Sequence, residues 1–101
     1  MRLIFTNEAR LEITEAGQYY RRISKVLAVE FKLRLTAALE DIRKNPQTWR
    51  PLDEKYRRKL LKQFPYGVVY HEVDEGCLEI VAVMHLHRKP DYWRGREEHG
   101  A

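Results

Sequence analysis

Apolar residues recur at helical intervals in the first half of the chain and at strand intervals in the second. Ala9, Ile13, Ala16, Tyr20 and Ile23 are spaced by three and four, the period of one helix face. Asn7 is a suitable N-cap for this run, Glu8 suits the positive start of the helix, and the helix is predicted to end near Ile23. Gly17 interrupts the pattern at a cost of about 1 kcal/mol relative to alanine, which points to a close helix contact or a bend. Ser24 then caps a second helix with a buried stripe of Leu27, Phe31, Leu35, Ala38 and Ile42, stopped by Asn45 and Pro46. The two helices are expected to lie antiparallel. Residues 2–6, ahead of them, read as a short opening strand.

After a loop containing Trp49 and Pro51 the period changes. A segment around residues 57–64 leads to a turn at Pro65, Tyr66 and Gly67. Residues 68–73 and 78–84 are β-rich runs joined by Asp74, Glu75 and Gly76, a hairpin link with glycine available for positive φ. The second run is apolar on both faces except at Glu79. It is therefore predicted to be a central strand, covered by the helix pair on one side and by loops or the C-terminal segment on the other. The expected fold is α+β, an N-terminal two-helix hairpin packed on a twisted, mostly antiparallel sheet of about four strands. No repeat, low-complexity tract or linker divides the 101 residues, so one domain over residues 1–101 is expected.

Hydrophobic residues make up 44% of the chain and charged residues 34%, the balance of a folded globular protein. The longest apolar stretch, residues 80–84, falls far short of the ~18 residues of a membrane-spanning helix, and no signal-peptide core opens the sequence. A cytoplasmic protein without a membrane partner is expected. Cys77 is the only cysteine and sits in an apolar run, so it reads as a buried, inert thiol.

The net charge of +4 gains meaning from position. Arg50, Lys55, Arg57, Arg58, Lys59 and Lys62 fall in one stretch, and Arg88, Lys89, Arg94 and Arg96 in another. Brought together by folding, they would form a positive face for phosphates or for an acidic protein partner; either run alone is compatible with a solvated surface. His85 and His87 alternate along a strand, but two ligands are too few for a metal, so no metal site is expected. A histidine base beside Arg88 has the chemistry for catalysis, whereas a hydrogen-bonded His85 would instead support the C-terminal turn. Trp49, Tyr92 and Trp93 either stack on bases or pack as core, and packing is the commoner outcome for such aromatics.

Phe64-Pro65-Tyr66-Gly67-Val68-Val69-Tyr70, the hairpin, and the run from Ile80 through His85, Arg88, Pro90 and Trp93 to Arg94 together resemble the RelE/ParE toxin superfamily. They are similar to its FPY strand, hairpin and His-x-x-Arg-x-Pro-x-x-Trp signature. Tyr19-Tyr20, Phe31 and the Asn45-Pro46 stop are similar to its helical hairpin, so the resemblance spans nearly the whole chain. It implies the toxin of a bacterial type II toxin-antitoxin module, a plasmid-stabilisation protein that inhibits growth. A cognate antitoxin would wrap and silence it, operator DNA would be reached only through that antitoxin, and no cofactor is implied.

The superfamily has two kinds of target. Its ParE branch inhibits DNA gyrase by binding, and its RelE branch is a metal-independent endoribonuclease that cuts mRNA in the ribosome. As a ribonuclease, this chain would carry Lys62 and Arg88 at the positions of two catalytic arginines, Tyr92 near the terminal tyrosine, and His85 as a candidate base. Arg57, Arg58, Lys59, Lys89 and Arg94 would contact nucleic acid or target. The ribonucleases read Gly-Asp-Tyr-Arg where this chain has Phe64-Pro65-Tyr66-Gly67, so one phosphate-binding arginine is missing. A gyrase-binding inhibitor is thus the first expectation, an mRNA endonuclease the alternative, and an inactive toxin-like domain the third.

Overall fold

The computed structural model describes residues 1–96. Its elements are β1 (Arg2–Phe5), α1 (Asn7–Ile23), α2 (Lys25–Lys44), β2 (Arg50–Pro51), β3 (Arg57–Leu60), β4 (Tyr66–Asp74) and β5 (Cys77–His85). Single residues join the first three. Thr6, and not Asn7, caps α1: it is extended, its hydroxyl accepts the Ala9 N–H at 3.1 Å, and its own N–H still donates to Ile80 O of β5 at 3.0 Å. The strand bond holds Thr6 outside the helix, which moves the cap one residue ahead of the expected place. Ser24 ends α1 and caps α2, donating its N–H to Tyr20 O at 2.9 Å and accepting the Leu27 N–H at 3.3 Å. α1 runs unbroken through Gly17, which faces open space and marks neither a contact nor a bend.

The sheet has five strands in the order β1-β5-β4-β3-β2, one more than expected. The extra strand is β2, inside the presumed loop. It is two residues long and lies at the edge, where Pro51 needs no ladder partner for a missing N–H. β1 runs parallel to β5 while the other pairs are antiparallel, so the sheet is mixed. In the β4–β5 hairpin Asp74 opposes Cys77, and Gly76 supplies the positive φ of 76°.

The helix side of the sheet buries Ala9, Ala16, Tyr20, Phe31, Leu35, Ala38 and Ile42 against Val68, Tyr70, Leu78, Ile80 and Val83. Tyr20, Phe31, Phe64 and Tyr66 close one end of this core, largely with edge-on ring contacts. The α1 stripe stops at Tyr20, and Ile23, expected to be buried, is 61% exposed where the chain reverses. On the other face Tyr56, Val69, Val81, Ala82, Met84 and Trp93 form a second cluster, with Leu52 and Tyr92 packed on it. β5 is therefore buried on both faces, as its apolar run predicts. Among the described residues no helix is long and apolar enough to cross a membrane.

Candidate functional site

Beyond β5 the chain folds back through short turns. The Leu86 N–H donates to Pro65 O (2.9 Å), Arg88 N–H to His85 O (3.1 Å), Tyr92 N–H to Lys89 O (3.2 Å) and Arg94 N–H to Asp91 O (3.1 Å). Trp93 anchors the segment, fully buried with its ring 4.7 Å from Tyr56. Arg88, Tyr92 and Arg96 are thereby returned against α1, where they meet Glu12.

Glu12 is the hub of this region. One carboxylate oxygen accepts the Val83 N–H and an Arg96 N–H, both at 3.0 Å; the other accepts the Tyr92 hydroxyl at 2.5 Å and lies 3.8 Å from Arg88. β1 pairs with β5 only as far as Ile80, and beyond that point Glu12 takes the Val83 donor. The Arg88 guanidinium stacks on the Tyr92 ring at 3.9 Å and that of Arg96 at 4.8 Å. Burial, then the bond to Glu12 and its charge, push the Tyr92 phenol far above its ordinary pKa, so it remains a neutral donor.

A cleft of about 250 Å³ opens here between α1 and the end of β5, with Glu12, Tyr19, Tyr66, His85, Arg88 and Tyr92 on its walls. Burial raises the Tyr66 phenol to about 12. His85 Nδ1 accepts the His87 N–H at 3.1 Å, and its ring meets Tyr66 edge-on at 5.1 Å. Of the expected catalytic set, His85, Arg88 and Tyr92 thus come together.

Lys62 does not join them. It is exposed beyond β3, in a separate cleft shared with Arg34, Asp41 and Lys59 between α2 and β3. The basic stretch of β3 is itself divided by strand alternation. Lys59 turns to the helix layer, 3.7 Å from Asp41 and 3.6 Å above the Trp49 ring. Arg57 donates to Trp49 O at 2.8 Å and to Gln47 at 3.1 Å, holding the loop before β2. Arg58 lies on the opposite face. Arg94 is paired with Asp53 and Asp91, both at 3.0 Å, and the Asp91 bond is the main cause of its raised pKa. Lys89 is exposed.

Two features escape a reading of the sequence. Glu12 is one of several acids on α1, beside Glu8 and Glu15, and no motif singles it out. His71 and Glu79 form a buried pair, Nε2 to Oε1 at 2.9 Å, beneath the Tyr56 ring. Burial lowers the His71 pKa, against the opposing pull of Glu79. The lone acid in an apolar strand was the available signal, since a buried carboxylate needs a partner and the hairpin register puts His71 opposite it.

A helical hairpin on a five-stranded mixed sheet, with an arginine- and aromatic-rich C-terminal turn folded back on the first helix, defines a toxin of the ParE/RelE type. The family described as the ParE toxin of the type II toxin-antitoxin system, parDE, matches residues 3–90, and the chain belongs to it. Among solved structures it is similar to one from P. aeruginosa titled "Chromosomal ParDE TA system", with 15% identity and a TM-score of 0.72 over 86% of this chain and 97% of that one. That likeness is one of fold. Among curated proteins no relative matches.

Proposed function

We propose that this toxin arrests growth by binding DNA gyrase and is held silent by a cognate antitoxin. The observation that carries the binding reading is the engagement of the cations. Arg88 and Arg96 share Glu12, Arg94 holds Asp53 and Asp91, and Lys59 faces Asp41. Metal-free RNA cleavage needs a base, an acid and cations free to meet a developing phosphate charge. Tyr92, with its phenol far above its usual range, is no base near neutral pH, Lys62 opens into another cleft, and Gly67 offers no side chain. A binding inhibitor needs none of these groups free in advance.

The meeting of His85, Arg88 and Tyr92 in one cleft favours the second reading, an mRNA endonuclease acting in the ribosome. That reading requires Glu12 to release Arg88 when substrate binds. Purified toxin titrated into a gyrase supercoiling assay and into a translating extract separates the two. Inhibited supercoiling with intact mRNA is expected; discrete cuts in translated mRNA with supercoiling untouched would reverse the assignment. Neither effect from folded toxin would leave a toxin-like domain without activity. Expression alone should arrest bacterial growth, and co-expression of the antitoxin should restore it.

A further inference from the structure

The face of the sheet turned away from the helices carries an arrangement that the gyrase reading does not use. Arg50 of β2 and Arg58 of β3 stand directly opposite each other in the antiparallel ladder, so both side chains leave the sheet on one face. The Arg58 partner in β4 is Val69, a member of the Tyr56–Trp93 cluster, which identifies that face as the one away from α1 and α2. The Arg58 stem lies across Gly67, where a β-carbon would come within 2.9 Å of Arg58 Cδ. Glycine leaves room for the arginine to lie flat.

Neither arginine has an acidic partner among the described residues, whereas Arg88, Arg94 and Arg96 each have one. Among the described residues, buried Arg58 Nε has no acceptor. Like charges opposite one another in a ladder are destabilising, and a buried donor without an acceptor adds to that cost. An anion between the two guanidinium groups, whose forked donors suit a two-oxygen acceptor, removes the like-charge penalty. Leu60, two residues along on the same face, is 47% exposed. An apolar neighbour of this kind suits a protein segment, whereas a nucleic-acid backbone would leave it in water.

We propose that Arg50 and Arg58 form a receptor for an aspartate or glutamate carboxylate presented by an extended segment of a partner protein. This rests on the reading of the chain as a protein-binding toxin, but its test needs neither gyrase nor antitoxin. The probe is a fluorescein-labelled peptide of alternating glutamate and valine, with single-stranded DNA of mixed sequence as the competing polyanion. Arg50→Gln and Arg58→Gln are each expected to weaken peptide binding about tenfold or more, the worth of a charge-assisted bond. Lys25→Gln and Lys32→Gln remove the same charge from exposed positions of α2 and should weaken it less than about threefold.

The thermal midpoint supplies the second readout. Relieving an opposed pair should leave the midpoint unchanged or raise it, whereas a structural role for the pair would lower it in both variants and overturn the proposal. If Arg58→Gln fails to fold, Arg50→Gln carries the test alone. Equal losses in all four variants, no peptide binding by the unaltered toxin, or a preference for DNA through these same two arginines would each overturn the proposal.

Discussion

Replacing Glu12 by alanine removes one carboxylate and strands the donors gathered on it. Three of them, the Val83 N–H, the Tyr92 hydroxyl and Arg96, lie at 2.5–3.0 Å, and the Glu12 side chain is only 13% exposed. A hydrogen bond to a charged acceptor contributes about 1.5–3 kcal/mol, and breaking a buried pair from one side costs about 3–5 kcal/mol. The three bonds share one acceptor and do not add, and Arg96, 15% exposed, recovers some water once freed. A net loss of about 2–4 kcal/mol is therefore expected, with the thermal midpoint lower by about 10–20 °C for a chain of this size. Urea unfolding measures the loss. Trp93 fluorescence reports on the segment itself, because detachment from α1 exposes the ring now buried against Tyr56. A loss below about 0.5 kcal/mol with unchanged Trp93 emission would refute the claim that Glu12 holds the C-terminal segment in place.

Arg88, with its side chain 55% exposed and 3.8 Å from Glu12, should matter little to stability, so Arg88→Ala is expected to change it by less than about 1 kcal/mol in the same unfolding assay. In function it should weaken gyrase inhibition by only about 1 kcal/mol, whereas a ribonuclease would lose ~10²–10³ in cleavage rate. His71 is held neutral by burial, so its folded pKa lies below the unfolded value of about 6.5 and the unfolded chain takes up the proton first as pH falls. Stability should be full above that pH and decline below it, and the urea midpoint of His71→Gln should show a flatter decline; an unchanged slope would exclude His71 as the source. Gly76→Ala places a side chain at φ 76° with open space around it, and calorimetry should find a cost of about 1–2 kcal/mol from backbone conformation alone.

The helices and the β4–β5 hairpin were legible because each buries a stripe at its own period: all five residues of the expected α2 stripe are at least partly buried against the core. β2 was not, because two residues containing a proline carry no period, and the parallel pairing of β1 with β5 depends on a partner far away in sequence. The same distinction separates the legible and illegible parts of the site. His85, Arg88 and Tyr92 lie close enough in sequence for a motif to place them together. Glu12 becomes their hub only because a segment 80 residues further on returns to it. Charge was misread for a different reason. Counting basic residues along β3 treats them as one patch, but a strand sends neighbours to opposite faces. Lys59 and Arg57 are thereby spent on Asp41 and the loop before β2, while Arg58 reaches the open face to meet Arg50. A basic run in a strand thus predicts two half-patches. Which half remains available to a partner depends on where the helices supply acids, and on this chain Asp41 of α2 places the engaged half under the helix layer and leaves Arg50 and Arg58, which have no acidic partner among the described residues, on the other side.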